Sequence, residues 1–190
     1  MSPHEWEHLG DEELYRYLVF RARRSRRRSP RTGVEIGFFL LDTVDWVNVI
    51  PITAAGEIVL VRQFRHGSDG VSLEIPGGII DRSDRDPAAT AARELREETG
   101  YVADELVALG EIRPNPAFMT NRCHVFVARG CRLQGALQMD PGEDIEVVTM
   151  PLAELDAAIA GGVIDHAIVL AALARWRAAE RGGAMGPIGS

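Results

Sequence analysis

PGGIIDRSDRDPAATAARELREETGY, residues 76–101, packs a turn, a helix start and three crowded carboxylates into one segment. Pro76, Gly77 and Gly78 predict a turn at which the backbone can approach a ligand, because neither glycine carries a Cβ. Asp86 predicts an N-cap, Pro87 the first helical residue and Gly100 a left-handed stop, so a helix spans Pro87 to Thr99. Ala88, Ala91, Ala92, Leu95 and Thr99 recur at helical spacing and form a narrow face of small or apolar residues suited to a sheet. Glu94, Glu97 and Glu98 fall on the opposite face at i, i+3 and i+4, where like charges repel by about 0.2–0.5 kcal/mol per pair. Arg93 and Arg96 offset part of that charge. A divalent cation would offset more, and an all-oxygen ligand set suits Mg²⁺ or Mn²⁺. The plainer alternative is a solvated helix laced with Arg–Glu pairs.

The chain of 190 residues, 46% of them hydrophobic, is expected to form one domain with a short extension. Its net charge of −7 argues against bulk attraction to nucleic acid. All 21 basic residues are arginine, so any phosphate clamp must use the bidentate guanidinium. Two cysteines, Cys123 and Cys131, are too few for a disulfide framework and fit a reducing compartment. Residues 1–16 are polar, so no N-terminal apolar leader is expected, and the most apolar late segment is broken by Asp165 and His166. A cytoplasmic protein without membrane contact is expected.

Working outward, Asp11 to Tyr17 predicts a short helix and Tyr17 to Arg24 a strand that runs into Arg21, Arg23, Arg24, Arg26, Arg27, Arg28 and Arg31. This run reads either as an arm for phosphate or nucleic acid, or as an edge hairpin whose charges block further pairing. Val34–Leu41, Asp45–Thr53, Ile58–Phe64 and Val71–Ile75 read as strands, with a turn at Gly56-Glu57. Trp46 either stacks on a base or sugar or packs at an interface. Arg62 and Arg65 are expected on one face of their strand, and Glu74 points at the site or at Arg65. Leu106–Ile112, Arg122–Ala128 and Ile145–Met150 read as further strands, with His124 packed in the sheet. Two prolines stiffen the Pro114–Phe118 loop, whose Asn115 offers an amide to a sugar or base, or simply serves the turn. Helices are expected from Pro151 to Ala160 and from Ile164 to Arg181, followed by a Gly-rich, disordered tail.

Gly78 followed by Arg93-Glu94-Leu95-x-Glu97-Glu98-x-Gly100-Tyr101 resembles the signature of the Nudix hydrolases, G-x5-E-x7-R-E-U-x-E-E-x-G-U with U apolar or aromatic. Asp84 stands where that pattern has Glu, and eight residues instead of seven separate it from Arg93; the extra residue precedes Pro87 and leaves the register of the glutamates intact. The resemblance implies an α+β Nudix fold, a mixed β-sheet core sandwiched between α-helices, with an N-terminal strand extension. It divides the chain into an extension over 1–36, a Nudix domain over 37–181 and a tail over 182–190. It implies metal ligation by Glu94, Glu97 and Glu98 with the carbonyl of Gly77, a cofactor Mg²⁺ or Mn²⁺, and a catalytic set of Glu143, Glu97 and Arg93. Glu143, just before Asp144-Ile145, matches the base or metal ligand of sugar-nucleotide members, although Gly142 replaces a second acid sometimes found there. Arg65 matches a diphosphate clamp. Pro116, sixteen residues beyond Gly100, matches a mark of ADP-ribose and related pyrophosphatases, so Pro116, Asn115, Trp46, Glu74 and Arg65 form the expected substrate set. The implied reaction is hydrolysis of a nucleoside diphosphate sugar, ADP-ribose foremost, to a nucleoside monophosphate and a sugar phosphate. The alternatives are a nucleoside triphosphate or dinucleotide pyrophosphatase and a non-catalytic nucleotide sensor. The resemblance also implies a homodimer that exchanges strands within residues 17–54.

Overall fold

Asp86 and Gly100 bracket the central helix as their chemistry predicts. In the computed structural model, which describes residues 4–81, 83–139, 142 and 144–183, helix α1 runs Pro87–Thr99. The Asp86 side chain accepts a hydrogen bond from the Ala89 N–H, and Gly100, at φ 72°, donates its N–H to the Arg96 carbonyl. Capping of this kind is worth about 1 kcal/mol.

Two compact units divide the chain, Met1–Asp45 with Arg113–Arg122, and Trp46–Ile112 with Cys123–Ser190. The first unit is an antiparallel three-stranded sheet of β1 (Glu7–Arg16), β2 (Phe20–Arg28) and β3 (Glu35–Thr43), in the order β1-β2-β3. The helix expected over Asp11–Tyr17 is therefore a strand. The reason is non-local: Asp11, Glu12 and Glu13 stand across from Ser25, Arg24 and Arg23, and opposite charges across an antiparallel pair stabilise the ladder. The arginine run is likewise not an edge. All of it but Arg31 lies in the middle strand, where Arg21 and Arg23 bind Asp42, Arg24 binds Glu12, and Arg28 bridges Glu7 and Glu35.

The second unit holds an eight-stranded mixed sheet. Its strands are β4 (Trp46–Thr53), β5 (Glu57–Arg65), β6 (Gly70–Glu74), β7 (Gly77–Ile79), β8 (Tyr101–Val102), β9 (Glu105–Ile112), β10 (Cys123–Leu133) and β11 (Ile145–Pro151). The main path is β11-β5-β4-β10-β8, with β6 on β5, β7 on β4 and β9 on β10; β10 runs parallel to β4 and every other pair is antiparallel. A short 3₁₀ turn (Leu152–Glu154) leads into α2 (Leu155–Ala160), and α3 covers Ala167–Arg181. The last helix starts three residues later than expected because Ile164 is buried in the core and His166 is extended.

Side-chain alternation sorts the core into two layers. Val47 and Val49 of β4 and Phe126 and Ala128 of β10 pack with Ala91 and Leu95 of α1. Ile50 and Ile52, together with Val125 and Val127, face Val169, Leu173 and Trp176 of α3. Helices α1 and α3 thus sandwich the sheet, the expected α+β architecture. Full burial of a Leu or Ile side chain contributes about 1.5–3 kcal/mol, which fixes α1 against β4.

Candidate active site

The stretch after Pro76 is strand as well as turn. Gly77 and Gly78 pair with Asn48 and Val47 of β4, and the Pro76 carbonyl accepts the Val49 N–H at 2.9 Å. Both glycines are required by close approach. A Cβ on Gly77 would lie 2.3 Å from the Val47 carbonyl, and one on Gly78 would lie 2.4 Å from Oε1 of Glu94. The backbone of β7 is thereby pressed between a neighbouring strand and the acidic edge of α1.

Of the predicted small-residue face, Ala91, Leu95 and Thr99 are buried, whereas Ala92 is exposed. The acidic face is not opposite but adjacent: Glu94 and Glu98 are 7% and 4% exposed, which rules out a solvated charge ridge for these two. Glu98 Oε2 accepts the Gly77 N–H at 2.9 Å. Arg93 Nη1 lies 2.9 Å from Glu94 and 3.0 Å from Glu97. Its other edge is held by Asp84, through Nη2 at 2.9 Å and Nε at 3.3 Å. These bonds, Asp84 first, raise the Arg93 pKa above its usual value. Arg93 is thus the ion-pair hub that keeps the glutamates converged.

The shortened acid Asp84 also gains a role. It accepts from the Thr90 hydroxyl at 3.0 Å and the Asp81 N–H at 3.1 Å, so it ties the loop to α1 while aiming Arg93. The Arg93 hydrogen bonds hold its pKa down at about 2, against an ordinary 3.8. A depressed carboxylate contributes stability that is full above about pH 4 and lost as pH falls through about 2. Denaturant titrations are therefore expected to show wild type losing stability over that window. Asp84→Asn is expected to be less stable at pH 7, by about 1 kcal/mol, and to show less of that acid loss.

Arg62 and Arg65 do not share a face, since residues three apart in a strand point to opposite sides. Arg62 reaches Glu146 on β11 at 3.1 Å. Arg65 makes a two-pronged pair with Glu74, Nε and Nη2 each 2.8 Å from a carboxylate oxygen. Burial pushes the Glu74 carboxyl up, but the Arg65 bonds and charge outweigh it and leave the group below its ordinary value.

Two cavities of about 350 Å³ each meet along Gly77, Gly78 and Ile79, and Arg65 lines both. One contains Glu94, Glu97, Glu98 and Arg93. The other contains Trp46, Glu74 and Asn48, with His166 and Ile168. Trp46, Arg65, Glu74, Gly77, Arg93 and the three glutamates therefore gather in the second unit. Asn115 and Pro116 belong to the first unit, where the Asn115 side chain accepts the Ala117 N–H and its carbonyl accepts those of Phe118 and Met119, a turn role. Glu143 lies outside the described residues.

Sequence reading missed Gln63, Gln138, Asn48 and His166. Gln63 has the strand parity of Arg65, a signal that was available. Gln138 has none: it reaches the acidic cavity because its N–H bonds the Glu97 carbonyl. Among the described residues no three His, Cys, Asp or Glu side chains are already gathered as a metal cage, since Glu98 turns to Gly77, and Glu94 and Glu97 to Arg93. The donor set nevertheless fits a hard divalent cation. It consists of carboxylates on one helix edge, with glycines leaving the berth against which Glu94 lies.

The chain is similar to known proteins in sequence and in fold. An ADP-ribose pyrophosphatase of Mycobacterium tuberculosis is 29% identical over 183 residues, 96% of this chain and 88% of that one. An ADP-ribose pyrophosphatase of Bacillus subtilis is 35% identical over 109 residues, 57% of this chain and 58% of that one. A solved structure described as an ADP compounds hydrolase superposes with a TM-score of 0.84 at 23% identity, covering 96% of this chain and 98% of that one, a likeness of fold. The NUDIX domain family model matches residues 43–173, a span that contains α1, both glycines and the Arg65–Glu74 pair, and the chain therefore belongs to the NUDIX domain family.

Proposed function

We propose that this protein hydrolyses the pyrophosphate bond of a nucleoside diphosphate sugar, ADP-ribose foremost, giving a nucleoside monophosphate and a sugar phosphate. The observation that carries the reading is the position of Arg65 on the wall common to an acidic cavity and a mixed polar and apolar one. That arrangement suits a diphosphate at the junction and an uncharged group beyond it.

Glu94, Glu97 and Glu98, with the Gly77 carbonyl, would hold the divalent cation, Mg²⁺ or Mn²⁺ in this reading. When bound, the cation neutralises diphosphate charge and makes water in the site more acidic. Arg93 keeps the carboxylates converged, and Arg65 binds phosphate oxygen while Glu74 holds its guanidinium in plane. Water attacks phosphorus in line, a P–O bond forms as the bridging P–O bond breaks, and the proton of the water passes to Glu143. Two features of the described residues support that role for Glu143. Gln138 lines the acidic cavity on one side of its segment, and on the other Ile145 pairs with Gln63, which lines the same cavity.

A homodimer built on strands within residues 17–54 belongs to the same proposal and draws support from the exposed Ile36, Phe38 and Phe39 of β3. So does a cytoplasmic setting, consistent with the free, buried thiols of Cys123 and Cys131. Among the described residues no helix is long and apolar enough to cross a membrane. The arginines of β2 bind acids in their own sheet, which disfavours a nucleic-acid arm.

The test is a substrate panel with Mg²⁺ or Mn²⁺ and identification of products. ADP-ribose is expected to yield AMP and ribose 5-phosphate, and Glu143→Gln to lower kcat more than substrate affinity. A panel in which every sugar nucleotide and dinucleotide survives would overturn the reading. Faster cleavage of nucleoside triphosphates would replace it with the triphosphate alternative.

A further inference from the structure

The cavity beside Trp46 contains side chains that the hydrolysis scheme leaves unused, His166 among them. His166 immediately precedes α3, and its half-buried imidazole lines this cavity with Nδ1 closed off from solvent, which leaves the rest of the ring edge to meet a ligand. The ring is not spent on capping, since the His166 side chain makes no bond to the N–H groups of α3.

Its support is rigid. The His166 carbonyl accepts the Leu170 N–H at 3.0 Å, and α3 is fastened to the sheet by the buried Val169, Leu173 and Trp176. An imidazole held in this way suits recognition better than a loop side chain would.

The surroundings select the chemistry of the ligand. Glu74 is buried, ionised and already shares its charge with Arg65, so a second phosphate beside it would be repelled. Trp46 and Ile168 supply apolar wall, and Asn48, Glu74 and His166 supply hydrogen-bonding groups. A neutral ring bearing hydroxyls meets these conditions: its faces lie on apolar side chains and its O–H groups bond a carboxylate and an imidazole.

We propose that His166 is a specificity-determining residue whose accessible imidazole edge hydrogen-bonds a hydroxyl of the sugar attached to the pyrophosphate, in the cavity walled by Trp46 and Ile168. The proposal rests on the hydrolase reading above but concerns a different part of the ligand.

The test compares wild type, His166→Ala and His166→Asn on two substrates, ADP-ribose and ADP esterified to a simple alkanol that lacks sugar hydroxyls. Asparagine keeps a hydrogen-bonding group on a shorter polar side chain. Loss of the bond is expected to lower kcat/KM of His166→Ala for ADP-ribose about 10- to 100-fold, chiefly through KM. On the alkyl ester the same variant is expected to stay within about twofold of wild type, and His166→Asn to recover part of the loss on ADP-ribose. Equal losses on both substrates, or none on ADP-ribose, overturn the proposal, as does discrimination that follows a change of base with the ribose kept. Unfolding midpoints separate these outcomes from misfolding. If wild type cleaves neither compound, the hydrolase reading fails by itself. Calorimetric binding of ADP-ribose in metal-free buffer then still decides the role of His166: a weaker binder than wild type upholds it, an equal one removes it.

Discussion

Glu98→Gln is expected to lower kcat by about 10²- to 10³-fold or more while the protein stays folded. Glu98 is 4% exposed and accepts the Gly77 N–H at 2.9 Å, so its carboxylate joins the edge of α1 to the backbone of β7. Glutamine keeps the shape and an acceptor oxygen, and the Gly77 bond can persist. The negative charge goes, and with it the attraction for a cation on the diphosphate. Relief of repulsion against Glu94 and Glu97 offsets part of the weakened hydrogen bond. The unfolding midpoint should therefore move by only about 2–4 °C, equivalent to about 1 kcal/mol for a chain of this size. Glu94→Gln should behave alike, with the addition that Arg93 loses one of its acidic partners. Steady-state kinetics with a thermal melt and Mn²⁺ titration calorimetry checks both variants. Turnover within twofold of wild type would remove these carboxylates from the chemistry.

Alanine at Gly77 and at Gly78 is expected to separate stability from activity. At Gly77 the new methyl would meet the Val47 carbonyl at 2.3 Å and the Asn48 Cα at 3.1 Å. Both are backbone of a central strand that cannot retreat, so β7 must leave β4, at a cost of about 1–3 kcal/mol or more. At Gly78 the methyl would meet only the Glu94 carboxylate, the far end of a side chain, which can swing aside. Gly78→Ala should melt near wild type yet lose about 10²-fold or more in kcat, because Glu94 is displaced from its berth. A Gly78→Ala enzyme of wild-type activity, or a Gly77→Ala protein of wild-type stability, would contradict this account of β7.

Much of the fold was legible because it is local. Helix α1 begins and ends at the residues its caps predict, and six strands of the second unit fall close to their expected runs, whereas the short β7 and β8 were not expected as strands. The departures have two causes, one non-local and one a matter of strand parity. Asp11 to Tyr17 looks helical in isolation but is held as strand by pairing with β2, where Glu12 and Glu13 face Arg24 and Arg23, twelve and ten positions away. Arg62 and Arg65 were placed on one face, although their odd separation puts them on opposite sides, one toward β11 and the other toward Glu74. In the site, the three glutamates and Arg65 were readable from spacing and resemblance. Gln138 and His166 were not, because nothing near them in the chain distinguishes a cavity wall from a loop or a helix start.

By itself the sequence determined the helix, its caps and the register that puts Glu94, Glu97 and Glu98 on one edge, since these depend on neighbours three or four residues apart. Only the tertiary structure decided that Glu94 and Glu98 are buried, that Asp84 and Arg93 hold the cluster together, that Arg65 belongs to Glu74, and that His166 borders the same cavity. Those relations join strands and helices distant in the chain. Strand pairing and packing set them through the alternation of side chains across a sheet, and no local propensity encodes which element arrives on the other side.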